Sequence, residues 1–360
     1  MNEKISLLIL FGGMSSEHEV SCASAASVLT HINKEKYNIN TIGITKEGNW
    51  FLTSSPVVRI SDGSWEQDKS NRRAFVVPDR STGGVLAETD TGSYEKIKAD
   101  VVFPILHGKN GEDGTMQGLL QMAGLPFVGS DAASSASCMD KAVTKAIVEQ
   151  SGDVKQAKCF VIHKNDFDRD PGEMTEKILE YFVGRLPLFV KPANAGSSVG
   201  ISKVKKAEAL EEALRTAFAE DSKAIVEEAI VGREIEVAVL GNNSPKASCI
   251  GEIFAANEFY DYNAKYENMQ SKTEIVRDLD DNKEKEIREA ALRVYAAMGC
   301  RGLARVDFFL EESGRVIFNE INTLPGFTQI SMYPKLWEET GIPYSKLIDG
   351  LIKSALEQCK

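Results

Sequence analysis

The sequence predicts an α/β protein that opens on a parallel-sheet unit, and three observations predict it. Ile5-Ser-Leu-Leu-Ile-Leu-Phe11 is an apolar run like that of a buried parallel strand. Gly12-Gly13 and a polar turn follow, and Val20 to Ile32, rich in Ala and Ser, reads as a helix. Ile39 to Ile44 and Val101-Val-Phe-Pro-Ile-Leu106 are further strand candidates. Strand, glycine turn and helix in that order make an open α/β unit with ligand groups at the strand carboxyl ends. Residues 60–98 are rich in polar and turn residues and read as irregular or peripheral β structure.

A second region starts near residue 129. Asp140 to Gln150 reads as a helix. Leu186 to Pro192 and Ile201 to Val204 read as short strands around a glycine-serine loop. Ala207 to Phe218 carries Leu210, Ala213, Leu214 and Ala217 at helical spacing. Ala224 to Glu228 is a strand leading into Gly232. A third region begins near 228, with strands at Glu234 to Leu240 and Ala247 to Phe254, a helix from Glu284 to Met298, and a closing helix from Tyr344 to Leu356. A length of 360 residues suits two or three domains with an ample core, so the expected domains are 1–128, 129–227 and 228–360.

Charge and cysteine usage narrow the function classes. A net charge of −11 excludes a global attraction to nucleic acid, so an anionic ligand must be held by local Lys and Arg. The apolar run at the N-terminus is too short for a signal peptide, and no apolar stretch reaches the roughly 18 residues of a membrane span. Six cysteines (22, 138, 159, 249, 300, 359) contain no C-x-x-C pair. That argues against a zinc site or a disulfide framework and suits a reducing cytoplasm.

The most informative stretch is Arg305 to Asn322. Two apolar, strand-like runs flank Glu311-Glu-Ser-Gly314, a turn signal, and so read as a hairpin. Alternation puts Val306, Phe308 and Leu310 on one face and Arg305 and Asp307 on the other. A four-residue turn pairs Leu310 with Arg315, Asp307 with Phe318 and Arg305 with Glu320. In that register Asp307, Glu320 and Asn322 share a face, and two carboxylates with an amide oxygen are a donor set Mg²⁺ prefers. A one-residue slip sends them to opposite faces. The alternative is a hairpin with one solvated face.

Several loops admit two readings each. Gly196-Ser-Ser-Val-Gly200, just after Lys191, is either a plain turn or a phosphate cradle of amides and hydroxyls. No P-loop and no G-x-G-x-x-G fingerprint is present, so ATP here needs another architecture. In Gly12-Gly-Met-Ser-Ser-Glu-His-Glu19, either Ser15 or Ser16 caps a helix beside dipole-favoured acids, or Glu19 pairs with a ligand ammonium. His107-Gly-Lys-Asn-Gly-Glu-Asp-Gly114 holds a histidine that is structural or part of a site at a strand end. Tyr260-Asp-Tyr-Asn-Ala-Lys-Tyr266 is a surface loop or a mobile flap.

Taken together, these elements resemble the D-alanine–D-alanine ligases, ATP-grasp enzymes of cell-wall synthesis. The resemblance covers nearly the whole chain. Besides the loops above it rests on Cys138-Met-Asp-Lys141, Val190-Lys-Pro-Ala-Asn-Ala-Gly196, Arg233-Glu-Ile-Glu-Val-Ala-Val-Leu-Gly241, Gly302-Leu-Ala-Arg-Val-Asp307 and Asn319-Glu-Ile-Asn-Thr-Leu-Pro-Gly-Phe-Thr328, all in the family's order. It implies an α/β substrate-binding domain followed by two α+β ATP-grasp domains that clasp ATP, in a cytoplasmic homodimer with no nucleic-acid or membrane partner. It also implies residue roles. Lys141, Lys191 and Ser198 hold ATP phosphates; Glu227, the Ile230 backbone and Glu234 frame adenine and ribose; Lys265 closes over the γ-phosphate with the flap. Asp307, Glu320 and Asn322 bind two Mg²⁺, a site that also admits Mn²⁺. Glu19 holds the first D-alanine's ammonium, linked to Ser197 and Tyr266. Arg305 and the Gly326 amide form the oxyanion site, and Ser331 and Met332 contact the second D-alanine, with His107 at the same end.

The implied reaction activates one D-alanine carboxylate as an acyl phosphate, which the second D-alanine's amine attacks. His107 and the Ser197–Tyr266 link are both candidates for the base. Ala195, Glu228 and Ile330 depart from some relatives, and Asp153-Val-Lys-Gln156 lacks the Pro-containing turn common there. The rival readings are a D-alanine–D-serine ligase, another ATP-grasp carboxylate–amine ligase, and a nucleotide-binding module without catalysis.

Overall fold

The protein is described by a computed structural model covering residues 3–196, 198–254 and 272–357. Its first sheet contains β1 (Ile5–Gly12), β2 (Tyr37–Ile44), β3 (Trp50–Thr53), β4 (Arg72–Val76), β5 (Gly84–Glu88), β6 (Tyr94–Lys98) and β7 (Val101–Ile105), in the order β6-β5-β4-β3-β2-β1-β7. Only β7, β1 and β2 run parallel; from β2 outward the pairing is antiparallel. The expected open parallel sheet is therefore the three-strand end β2-β1-β7 alone. Short loops join β2 to β3, β4 to β5 and β5 to β6, as suits antiparallel neighbours, while a longer, partly helical segment links β3 to β4. Helices α1 (His18–His31), α2 (Val57–Ser61) and α3 (Thr115–Ala123) complete this part.

The second sheet is antiparallel throughout, ordered β10-β9-β11-β8 from β8 (Cys159–His163), β9 (Leu188–Pro192), β10 (Ser202–Val204) and β11 (Lys223–Glu228). With it come α4 (Ala132–Met139), α5 (Lys141–Gln150), α6 (Lys164–Arg169), α7 (Pro171–Tyr181) and α8 (Leu210–Glu220). The expected helical spacing is realised in α8, which buries Leu210, Ala213, Leu214 and Ala217 against Leu188, Val190 and Val226.

The third sheet is ordered β14-β13-β12-β15-β16. Its strands are β12 (Arg233–Leu240), β13 (Lys246–Phe254), β14 (Lys272–Ile275), β15 (Leu303–Leu310) and β16 (Val316–Asn322), followed or flanked by α9 (Asp281–Ala297), α10 (Met332–Glu339) and α11 (Tyr344–Glu357). Asp280 caps α9 through the Asn282 and Lys283 amides, and Ile287, Ala290, Ala291 and Val294 form its buried stripe.

The β15–β16 hairpin exists, but its register differs from the expectation. Glu311 pairs with Arg315, because Gly314 at φ +80° closes a three-residue loop rather than a four-residue one. A β-bulge then intervenes: Phe308 pairs with Phe318, yet Asp307 pairs with Glu320 and Arg305 with Asn322. The shorter loop and the bulge each move the register by one residue. Two one-residue shifts restore the facing, so Asp307, Glu320 and Asn322 do share a side. Outside the bulge, the Phe318 amide donates to Lys155 O (2.8 Å), which accounts for the unusual Asp153–Gln156 segment as an edge partner of β16.

The two C-terminal helices return to the first sheet. Leu347, Ile348, Leu351 and Ile352 of α11, with Tyr333 and Trp337 of α10, share one core with Leu7, Ile9 and Phe11 of β1. This packing brings α1 and the segment after β7 up against the loop that leaves β16.

Candidate active site

Three groups of side chains converge where the sheets meet. The first is a rung of acids. Asp307 on β15 pairs with Glu236 on β12 and with Glu320 on β16, so three carboxylates stand in one row. Arg305, one rung along, forks Asp307 (Nε to Oδ1 2.8 Å, Nη2 to Oδ2 2.7 Å) and lies 3.0 Å from Glu236 Oε1. Burial disfavours the guanidinium charge, but Asp307, Glu236 and Glu320 outweigh it and hold the pKa well above its ordinary value. Asn322 Oδ1 accepts from the Leu324 amide (2.9 Å), which fixes its rotamer.

The acid rung fits a divalent cation. A guanidinium already sits on Asp307 as a stand-in cation. Among the described residues no three His, Cys, Asp or Glu side chains converge as a protein-only metal cage. Two carboxylates and an amide are instead the sparse oxygen set Mg²⁺ takes when water and phosphate oxygens supply its other ligands.

The second group is cationic. Asp140 caps α5 through the Ala142 and Val143 amides and pairs with Lys223. The first residue of that helix, Lys141, donates to Ala195 O (2.7 Å) beside the glycine-serine loop. Lys191 on β9 lies 2.6 Å from Glu227 Oε2, and Lys145 lies 2.5 Å from Glu227 Oε1. Burial pushes the Glu227 carboxyl up, but Lys191 and Lys145 overcome it and hold the pKa at about 2. In the loop itself Ser198 has φ +61°, a strained conformation for a residue with a Cβ.

The third group joins the first sheet to the loop after β16. His107 is buried. Its Nδ1 lies 3.0 Å from Leu324 O, to which it donates, and its Nε2 lies 3.1 Å from Ser24 Oγ. Ser24 Oγ also accepts from the Phe327 amide (3.4 Å). His107 thus braces both sides of Gly326. Burial disfavours the imidazolium, while Glu112 at 3.7 Å and Glu17 raise the histidine's pKa above the ordinary value. Ser331 Oγ accepts from the Thr328 amide (3.0 Å), folding the same loop back toward Met332.

Glu19 lines the same cavity as Glu17 but is turned toward solvent. Its side chain is 65% exposed and ion-paired with Lys46. Glu17 is buried instead, and a Cβ added to Gly108 or Gly196 would come within 2.7 Å or 3.3 Å of its Oε2. Its carboxylate therefore sits between the His107 loop and the glycine-serine loop. Helical spacing carried this signal: Glu17, Ser21, Ser24 and Val28 fall on one buried stripe, whereas Glu19 falls beside Ala23 and exposed Thr30. Lys145 and Glu236 were also overlooked. Lys145 follows Lys141 by one helical turn, and Glu236 follows Glu234 on the same face of β12. Ser197, Lys265 and Tyr266 lie outside the described residues.

Two cavities join these groups. One, of about 640 Å³, is lined by Glu17, Glu19, His107, Glu112, Arg305, Asn322, Gly326, Ser331 and Met332. The other, of about 350 Å³, is lined by Lys145, Lys191, Glu227, Ile230, Glu234 and Asp307. Lys141, Ser198, Glu236, Arg305 and Glu320 line both. The geometry offers two ligand compartments with a shared, charged wall, which is a layout for moving a group from one ligand to another.

Comparison with known proteins matches residues 6–130 to the family described as "D-ala D-ala ligase N-terminus" and residues 148–353 to "D-ala D-ala ligase C-terminus". The chain is 48% identical to "D-alanine--D-alanine ligase B" of Clostridium tetani, over 98% of this chain and 94% of that one. It is 46% identical to "D-alanine--D-alanine ligase" of Acetivibrio thermocellus, over 99% and 97%. Among solved structures it resembles the VanG D-Ala:D-Ser ligase from Enterococcus faecalis (TM-score 0.88, 39% identity, 98% and 100% covered). It also resembles the D-alanine-D-alanine ligase from Coxiella burnetii (TM-score 0.86, 35% identity, 99% and 95% covered).

Proposed function

Since the chain belongs to the D-alanine–D-alanine ligase family, we propose that it joins two D-alanines into D-alanyl-D-alanine with conversion of ATP to ADP, as a cytoplasmic homodimer supplying peptidoglycan precursors. The observation that carries this reading is the shared wall of the two cavities. Lys141, Ser198, Arg305 and Glu320 line both, so a nucleotide in one compartment meets an amino acid in the other.

A carboxylate does not condense with an amine without activation. Transfer of the γ-phosphoryl group from ATP makes the first D-alanine an acyl phosphate. Lys141 and Lys191 neutralise charge on the transferring group, with Ser198 turned toward it from the glycine-serine loop. Asp307, Glu320 and Asn322 would hold Mg²⁺, which supplies further charge neutralisation on the phosphate oxygens. Glu227, the Ile230 backbone and Glu234 frame the adenine and ribose. The deprotonated amine of the second D-alanine then attacks the acyl carbon, Arg305 with the Gly326 amide stabilises the tetrahedral oxyanion, and its collapse breaks the C–O bond and releases inorganic phosphate. Ser331 and Met332 receive the second D-alanine. Ring contacts on both nitrogens favour His107 as the brace of the Gly326 loop over its use as the base. The reaction needs water kept out, since an acyl phosphate hydrolyses.

The buried carboxylate of Glu17, not that of Glu19, is suited to the first D-alanine's ammonium. Losing a hydrogen bond to a charged group costs about 1.5–3 kcal/mol, so Glu17→Gln is expected to raise the D-alanine KM about 10- to 100-fold. Glu19→Gln is expected to leave it within about twofold, as for an exposed pair. Steady-state kinetics of both variants decide the assignment, and a larger effect at Glu19 reverses it.

Mass spectrometry of products formed from ATP and D-alanine tests the reaction. D-alanyl-D-alanine and D-alanine-dependent ADP release are expected; ATP splitting at the same rate without amino acid defeats the reading. With D-serine added, the mixed dipeptide is expected as a minor product, because Met332, Ile330 and Ile253 present an apolar acceptor wall. Such a wall rejects an added hydroxyl only about 100-fold.

A further inference from the structure

Lys145 carries no role in the reading above, yet it is one of the most enclosed charges in the protein. It is 6% exposed, and its Nζ lies 2.5 Å from Glu227 Oε1, while Lys191 Nζ takes Oε2 of the same carboxylate at 2.6 Å. Glu227 is itself only 4% exposed. One carboxylate is shared between two ammonium groups, and Lys191 also feels Glu320 and Glu234, so the buried charges are closely interlocked. Lys191 has a use as a phosphate ligand. Lys145 has none unless it acts on Glu227.

The elements holding Lys145 are firm. Lys141 and Lys145 are one turn apart on α5 and project from the same face. Asp140 caps the helix, and Gln156 Nε2 donates to the Lys145 carbonyl (3.0 Å). Lys145 lines the 350 Å³ cavity together with Glu227 and Ala157. From one side it tethers a carboxylate that Lys191 pulls from the other.

We propose that Lys145 is a positioning residue that sets adenine selectivity, by keeping Glu227 ionised and aimed at the exocyclic amine of the base. The proposal rests on the reading of Glu227 as an adenine contact. Adenine presents an amine donor where guanine presents a carbonyl oxygen. A fixed carboxylate accepts from the first and repels the second. Without Lys145, Glu227 swings onto Lys191 alone or takes a proton. It then loses the amine contact and no longer opposes guanine, and selectivity declines from both sides.

Calorimetric titration of the full chain with ADP and with GDP, without amino acid, tests this apart from catalysis. Wild-type protein is expected to prefer ADP. Lys145→Met is expected to lose about tenfold in ADP affinity, as for one charged hydrogen bond, with GDP affinity unchanged or improved. Lys145→Arg should recover much of the preference. In turnover, KM for ATP rises in Lys145→Met while KM for D-alanine stays put. A folded Lys145→Met protein with the wild-type ADP-to-GDP ratio overturns the proposal, as does an equal loss of both nucleotides, which marks a scaffold role. Should that variant fail to fold, Lys145→Gln serves the same comparison. A wild-type protein with no preference for ADP sinks the adenine reading of Glu227 itself, a result distinct from the failure of Lys145 alone.

Discussion

Ligation by an Asp307→Ala protein is expected to fall by about a thousandfold or more, equivalent to several kcal/mol of lost charge stabilisation on the phosphoryl group. The fold should survive. Asp307 stands in a row with Glu236 and Glu320, so its removal relieves repulsion among three acids, and Arg305 keeps Glu236 at 3.0 Å as a partner. Glu320→Ala is expected to behave alike. Turnover measured beside a thermal melt, with Mn²⁺ binding followed by electron paramagnetic resonance, separates loss of metal from loss of structure. Wild-type turnover in either folded variant would remove the metal assignment.

Arg305→Ala is expected to be inactive for a different reason and unstable as well. Loss of one oxyanion donor costs about 10²–10³ in kcat. Here it also strips the counter-ion from buried Asp307 and Glu236, and breaking such a network from one side costs roughly 3–5 kcal/mol. The melting temperature should therefore drop in Arg305→Ala and stay near wild type in Asp307→Ala, although both are catalytically crippled. Arg305→Lys should recover more stability than activity, because an ammonium is a point charge and cannot fork a carboxylate. An unchanged melt in Arg305→Ala would mean that the two acids find other compensation and that the network is not what balances them.

The facing of Asp307, Glu320 and Asn322 shows why some of the site was legible. Period-two alternation is a local property, and apolar Val306, Phe308 and Leu310 had to turn inward. The exact pairing was not legible. It depended on Gly314 adopting a left-handed conformation and on a bulge near Asn319, pinned from outside by Lys155. The motif around Glu17 and Glu19 was ambiguous in the sequence. Both acids sit in one short segment, and choosing between them required following the helical stripe through Ser21 and Ser24 rather than reading charge alone. Gln156 and the helix α7 gave no periodic signal strong enough to mark them.

What the amino-acid order determined by itself is what short-range physics governs: β1 as a buried strand, α8 and α9 as amphipathic helices, and Asp307, Glu320 and Asn322 on a common face. Its motifs also carried the family. Only the tertiary structure decided which charges meet. The Lys145–Glu227–Lys191 cluster draws on α5, β11 and β9, and the bracing of Gly326 by His107 and Ser24 spans more than 200 positions of chain. The second of these accompanies the packing of α10 and α11 back on β1, and the first joins α5 to the second sheet. Desolvation at these junctions fixes the charge of each group, and no local pattern records it.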